Sequence, residues 1–245
     1  MAYSLPERGV LMIVMFRRRY LAAAALVLLL AATVFAAIPH KRNTISVLSP
    51  QRIDRTVIID AGHGGTDGGA VSQSGVIESH LNLQIAKKVR EIFAFLGQPT
   101  VMTRTGEDGL YNPDSHTIRQ KKVADTRNRV ELINRYESAV LISIHQNSMP
   151  NAPKVHGAQV FFNTKEQAQE LAKTVQIALN GTVNAGNEKT IAPISKSVYI
   201  MSHVNCDAIL VECGFLSNGS ETELLQQDDY QRKLAAAIVC GYLNE

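Results

Sequence analysis

The chain of 245 residues has no tryptophan, three cysteines and an aromatic share of only 6%. Three thiols cannot build a dense disulfide framework, and an apolar content of 45% excludes both intrinsic disorder and collagen-like repetition. Cys206, Cys213 and Cys240 leave at least one thiol unpaired and form no C-x-x-C knuckle, so they are expected to serve as small buried hydrophobes. A sustained basic run is also missing beyond residue 42. The formal net charge is +3, but residues 1–42 carry +5 from Arg8, Arg17, Arg18, Arg19, Lys41 and Arg42 against Glu7, which leaves the rest of the chain at −2. A slightly acidic body has no electrostatic footprint for gripping phosphate backbones, so no nucleic-acid partner is expected.

Two features of the N-terminus stand out. Arg17, Arg18 and Arg19 precede an uncharged stretch over 20–38, rich in Leu, Ala and Val, and Lys41 and Arg42 follow it. As a helix, nineteen residues rise about 28 Å, roughly the hydrocarbon thickness of a bilayer. Arginines on the N-terminal side favour an orientation that sends everything after residue 40 across the membrane. The same pattern describes a cleaved signal peptide, with a small-x-small site at Val34, Phe35 and Ala36, so anchor and signal both stand. Translation is expected to begin at Met12 or Met15, immediately before the arginines. The expected organisation is a basic cytoplasmic N-terminus over 1–19, an anchor or signal over 20–38, a polar linker over 39–55 and one catalytic domain over 56–245.

From residue 56 strand-like and helix-like patterns alternate. Strands are expected over 56–60, 99–104, 140–145, 157–162, 198–201 and 208–212, and helices over 78–96, 116–136, 165–179, 221–227 and 229–243. Such alternation implies a single three-layer α/β domain with a largely parallel sheet covered by helices on both faces. Ligands in these sheets collect beyond the carboxyl ends of the strands. Three of those ends carry chemistry: Asp60 to His63, Ser143 to His145, and Val211 with Glu212.

His63 follows a strand directly and sits among glycines, which let the backbone turn and leave the imidazole uncovered. His145 and Glu212 each end an apolar run, and a carboxylate there needs a partner. Glu78 opens a helix, where the amide dipoles favour an acid. His63, His145 and one of the two glutamates form the set that holds a hydrolytic Zn2+ with one position left for water. The other glutamate is then free to take the water's proton and deliver it to a leaving amine.

The blocks Asp60-Ala61-Gly62-His63-Gly64-Gly65 with Asp67 and Ala70, Glu78 with Leu81-Asn82-Leu83, Thr103-Arg104, Arg129 with Asn134, Ser143-Ile144-His145 with Asn147, and Val211-Glu212-Cys213-Gly214 through Asn218 occur in this order. Together they resemble the zinc-dependent N-acetylmuramoyl-L-alanine amidases of the amidase-3 family, from about residue 56 to the C-terminus. The resemblance implies zinc ligation by His63, Glu78 and His145 and catalysis by Glu212. It also implies, as substrate, the amide between the lactyl group of muramic acid and L-alanine in peptidoglycan, that is, glycan strands bearing stem peptides. Asp67, Asn147, Arg104 and Arg129 are expected to support the ligands or the scaffold. Ser79 and His80 depart from the family, many of whose members carry a lysine and an acidic residue there. His80 is expected to face away from the metal, and His203 is a candidate to approach it.

A single N-terminal membrane segment, a bare catalytic domain and the insert over 108–122 resemble the spore-cortex, germination-specific subgroup. The expected location is therefore outside the cytoplasm, facing wall or cortex, with no protein partner specified. A zinc peptidase acting on cross-links and a non-catalytic wall-binding module are the competing readings.

Overall fold

The computed structural model describes residues 55–111 and 114–245, so the readings for the basic N-terminus, the anchor or signal and nearly all of the linker lie outside the described residues. No described helix is long and apolar enough to cross a membrane.

Six strands and six helices follow in the order β1 (Thr56–Ala61), α1 (Glu78–Phe95), β2 (Thr100–Met102), α2 (Ile118–Asn134), β3 (Ala139–Asn147), β4 (Gln159–Phe162), α3 (Ala168–Asn180), β5 (Ala192–Pro193), α4 (Tyr199–His203), β6 (Asp207–Phe215), α5 (Gly219–Leu225) and α6 (Asp228–Leu243). The strands form one sheet in the order β2-β1-β3-β6-β4-β5. β1, β2, β3 and β6 run parallel, whereas β4 is antiparallel to β6 and parallel to β5. The sheet is thus mixed and mostly parallel.

Alternation along the strands divides the core. Val57, Ile59, Ala61, Val140, Ile142, Ile144, Ile209 and Val211 pack on one face with Leu81, Val89 and Phe93 of α1, Leu171 and Val175 of α3, and Ile238 and Tyr242 of α6. Ile58, Leu141, Ala208 and Leu210 pack on the other with Val130 and Ile133 of α2 and Ile200 and Met201 of α4. Phe93 and Tyr242 meet edge to face at 5.1 Å, a geometry that adds about 1 kcal/mol beyond the area they bury. α2 opens on a reciprocal cap, Thr117 Oγ1 accepting from Gln120 N at 3.1 Å while Gln120 Oε1 accepts from Thr117 N at 3.0 Å.

The chain passes from β1 through α1 to β2 on one side, then returns through α2 on the opposite face to β3 on the other side of β1. The crossovers diverge between β1 and β3, which opens a crevice at the carboxyl ends of those strands. Their register places Asp60 beside Ser143, and His145 beside Glu212 of β6.

Two elements differ from the sequence reading. Residues 198–201, expected as a strand, belong mostly to the short helix α4, which buries Ile200 and Met201 and exposes its other side. A four-residue apolar run carries no period long enough to separate the two states, and contact with the α2 side of the sheet decides it. β5 was not expected: it is two residues long, contains Pro193 and extends the sheet by pairing with Phe161 and Phe162. The cysteines also differ from one another, Cys213 being buried, Cys206 half-buried and Cys240 exposed. Cys240 therefore corrects the expectation that all three are interior, because it lies on the outward side of α6.

Candidate metal centre

β1 is extended and apolar until Ala61, then the chain turns sharply. His63 has φ of +61°, the one non-glycine residue in the left-handed region among the described residues. That conformation is strained for an L-residue and needs outside support. Asp67 and Gly64 supply it by pairing backbone to backbone at 2.8 and 3.1 Å, and the His63 carbonyl accepts from Arg129 Nη2. Gly69, at φ of +71°, completes the turn. A Cβ there would lie 2.5 Å from Glu78 Oε2 and 2.8 Å from the His63 ring, so the close approach of the two side chains requires glycine.

Glu78 opens α1 without a side-chain cap at Ile77. The loop carbonyls of Ala70 and Gly68 accept instead from the backbone N–H groups of Glu78 at 2.9 Å and Ser79 at 3.0 Å. This fixes the buried carboxylate against the turn. Its Oε2 accepts from Ala70 N at 2.8 Å, and its Oε1 accepts from Asn82 Nδ2 at 3.2 Å and from Gln146 N at 3.1 Å. The same Oε1 lies 3.3 Å from His63 Nε2 and 3.0 Å from His145 Nδ1. The two imidazoles stand edge to face with centroids 5.0 Å apart. His63, Glu78 and His145 thus offer ligand atoms that all lie within 4.8 Å of one another, a grouping able to hold a metal ion.

The surroundings polarise this cluster. Burial would push the His63 imidazole down, but hydrogen bonds to Asp67 and Glu78 carry it up to about 9. Burial would likewise raise Glu78, yet the two histidines hold it far below the usual carboxylate range. Asp67 is also held low: its Oδ2 lies 2.9 Å from His63 Nδ1 and its Oδ1 lies 2.9 Å from Lys122 Nζ. An acid on one ring nitrogen fixes the tautomer and leaves the other nitrogen, Nε2, directed at Glu78.

Glu212 differs. It projects from β6 on the same sheet face as His145, and its Oε2 is shielded from solvent with no hydrogen-bond partner among the described residues. Burial pushes its carboxyl up to about 7, with the His145 charge opposing and the Glu78 charge assisting. A buried carboxylate oxygen without a partner is costly in a purely structural residue. It stands one strand from His145, directly opposite it in the register of β3 and β6.

The remaining candidates separate cleanly. Arg129 is internal, donating to Asp60 at 2.8 Å, to Asp125 at 2.8 Å and to the Ala61 carbonyl at 2.7 Å. Arg104 donates to the carbonyls of Ala61, Gly62 and Ser79 at 2.8 to 3.0 Å. Both guanidinium groups satisfy the backbone where β1 opens into the turn. Asn134 ties the end of α2 to the end of α4 and the residues after it through His203 O and Asn205 N. Asn147 Oδ1 accepts from its neighbour Ser148 N, and its backbone carbonyl accepts from Leu216 N at 2.8 Å, which ties the end of β3 to the residue after β6.

His80 is half-exposed and 3.4 Å from Glu107, outside the cluster. His203 spends its ring on Tyr199, stacked at 3.8 Å, and does not join the metal group. His116 and His156 are equally outside it. Sequence reading gave no role to Asn82, present there only within a motif, or to Gln146. Asn82 Nδ2 bridges Glu78 Oε1 and the Gly62 carbonyl, while its Oδ1 accepts from Gln146 Nε2 at 3.2 Å. The signal was available: Asn82 is four residues from Glu78 on one helix face.

Over residues 57–244 the chain matches Amidase_3, N-acetylmuramoyl-L-alanine amidase. It is 36% identical over 190 residues to the germination-specific N-acetylmuramoyl-L-alanine amidase of Bacillus subtilis (strain 168), covering 77% of this chain and 78% of that protein. Its fold matches the CwlD amidase from Clostridioides difficile, solved in complex with the GerS lipoprotein, with a TM-score of 0.74 and 36% identity over 78% of this chain and 98% of that one. An N-acetylmuramoyl-L-alanine amidase from Clostridium difficile 630 matches with a TM-score of 0.67 and 32% identity over 78% and 95% of the two chains. With crevice, cluster and relatives in agreement, the chain belongs to the Amidase_3 family and is a peptidoglycan hydrolase of the N-acetylmuramoyl-L-alanine amidase class.

Proposed function

We propose that the chain uses zinc, held by His63, Glu78 and His145, and that Glu212 is its proton-transfer group. The observation that carries the reading is the meeting of His63 Nε2, His145 Nδ1 and Glu78 Oε1 at one point, one strand away from the orphaned Glu212 Oε2. Two nitrogen donors and one oxygen donor suit zinc in a hydrolytic site, so the residues fit the ion. A zinc ion bound there supplies Lewis acidity to the scissile carbonyl and acidifies water in the crevice.

The chain's own groups do the rest. The turn over residues 62–70 and the start of α1 hold the crevice open beside the strand ends. Glu212 accepts a proton at Oε2 from the attacking water and donates it to the departing amino group of L-alanine. The C–N bond breaks, leaving a lactyl carboxylate on the sugar and a free N-terminal L-alanine on the peptide. A carboxyl near 7 suits both halves of that transfer, since it can hold or release the proton at neutral pH.

The proposal extends to location and role. Residues 56–245 form the catalytic domain, carried outside the cytoplasm by residues 20–38 as anchor or cleaved signal, with spore-cortex peptidoglycan as the substrate. The germination-specific Bacillus relative supports the cortex assignment, and the lipoprotein bound to the Clostridioides relative supports a protein partner for this chain. Digestion of purified sacculi with the metal-loaded protein tests the chemistry. New free N-terminal L-alanine with intact glycan reducing ends is expected, and new cross-link amines alone would overturn the amidase in favour of a peptidase.

A further inference from the structure

Beyond the strand end that carries Glu212, a second buried glutamate takes no part in the metal cluster. Glu221 lies in the first turn of α5, where Asn218 caps the helix by accepting from Glu221 N at 3.0 Å. The residue is 4% exposed, and its carboxylate forms no ion pair among the described residues. Two backbone donors hold it instead: Oε1 accepts from Gly157 N at 2.7 Å, and Oε2 accepts from Phe215 N at 2.7 Å. Burial pushes the carboxyl up, and those two amides, with the charges of His156 and Lys189, oppose the rise. Hydrogen bonds to an ionised acceptor are about twice as strong as neutral ones.

The two donors bracket Glu212. In the sheet Glu212 stands opposite His145 of β3 on one side and opposite Gln159 of β4 on the other. Gly157 comes just before β4 and Phe215 ends β6, so a single carboxylate clasps the two strands on which Glu212 and its neighbour Gln159 lie. The clasp falls where the ladder is least regular. After the pair of His145 with Glu212, the next is Asn147 with Phe215, so Gln146 alone faces Cys213 and Gly214. A bulge of this kind breaks the pairing and re-aims the side chain next to it. Glu221 pins its far end at Phe215 N, and Gly214 leaves the room: a Cβ there would lie 2.8 Å from Glu221 Cδ and 2.9 Å from Oε1.

We infer that Glu221 is the positioning residue of Glu212: by clasping Gly157 and Phe215 it fixes the bulged end of β6 and so the direction of the Glu212 carboxylate. The inference rests on the proton-transfer reading of Glu212 above. Glu212 Oε2 has no hydrogen-bond partner among the described residues, so its aim is set by the backbone that carries it. Packing alone would not call for a carboxylate at residue 221, since burying the charge is expensive. Only a carboxylate accepts at both ends; a glutamine of the same shape offers one oxygen and one NH2, which leaves one of the two backbone donors facing another donor. Rigidity at this point matters, because a misplacement of about 1 Å in a reacting group can cost about 100-fold in rate.

Glu221→Gln tests this in the metal-loaded full chain, alone and combined with Glu212→Gln. Alone, it should lower kcat on a soluble N-acetylmuramoyl peptide about tenfold, with KM and zinc affinity from chelator competition unchanged within about twofold. In the Glu212→Gln background it should cost no further turnover, because the group it aims is already gone. Gly214→Ala presses on the same carboxylate from the other side and should repeat both results, which keeps the test decisive if Glu221→Gln does not fold. Normal kcat with a lowered melting temperature, or an equal loss in the two backgrounds, would overturn the inference and leave Glu221 a structural tie. Weakened zinc binding would overturn it too, by moving the effect to the metal cluster. If Glu212→Gln itself turns over normally, the proton-transfer reading fails and takes the inference with it, whereas equal losses in an impaired Glu212→Gln background strike the inference alone.

Discussion

Gly62 lies directly against the imidazole of His145: a Cβ built on it would fall 2.2 Å from His145 Nε2 and 2.3 Å from Cε1. Both groups are fixed from behind, Gly62 by its hydrogen bond to the Ile144 carbonyl and His145 by the strand pairing of β3 with β6. Gly62→Ala must therefore displace the ring. Metal affinity is expected to fall by about 10- to 100-fold, the usual cost of disturbing a group that orients a ligand. Chelator competition reads the loss, and circular dichroism should show the fold retained. Unchanged affinity would mean that His145 is not held where the ion binds.

Glu212→Gln keeps the shape of the side chain and removes its ability to take a proton. Turnover of sacculi is expected to drop by about 10²- to 10⁴-fold, with bound zinc unchanged. The pairing of β3 with β6 does not depend on the carboxylate, so thermal stability should hold or rise as a buried charge is removed. Normal turnover in this variant would take the proton-transfer role away from Glu212.

Stripping the metal should abolish hydrolysis, and zinc should restore it. Binding to the folded state alone also stabilises, by about 2.7 kcal/mol when free ion is at a hundred times its Kd. Zinc should accordingly raise the melting temperature of the stripped wild type and leave that of His63→Ala nearly unmoved. A rise of equal size in the variant would place the ion elsewhere.

Asp60 sets an acid limit on stability. Burial would raise its carboxyl, but the Arg129 guanidinium, followed by the Ser143 and Thr103 hydroxyls, draws it from 3.8 down to about 2. A carboxyl whose folded pKa lies below its unfolded value adds stability that is fully present above the unfolded value and lost as the pH falls through the folded one. Melting temperature should therefore decline between about pH 4 and pH 2, and Asp60→Asn should lose this component of the slope. The variant should also be less stable at neutral pH by about 1 to 3 kcal/mol, because the buried Arg129 keeps Asp125 but loses one charged hydrogen-bond partner. Identical acid slopes in the two proteins would contradict the assignment.

The strand ends bearing His63, His145 and Glu212 were legible in the sequence because each follows a β-branched or apolar run, and a parallel sheet gathers such ends along one rim. The place of Glu78 was legible as a helix start. Its hydrogen bonds were not, since they come from Ala70, Gln146 and Asn82, contacts that exist only once the turn closes over α1. The same limit applies to His203. Placing it near Glu212 rested on a strand over 198–201, but α4 turns the ring onto Tyr199. Asn147 lies two residues beyond His145, past a bulge in β3, and local order alone does not reveal where its amide is spent. Composition likewise could not separate Cys240 from Cys213, since exposure follows from which side of α6 meets α1 and α3.

The sheet's two borders are very short. β2 contributes three residues, and β5 contributes two, one of them Pro193, which lacks an N–H to offer a neighbour. A long unpaired margin would act as a template on which further chains could add strand by strand. Blunted on both sides, the sheet gives a second copy almost no margin on which to continue it.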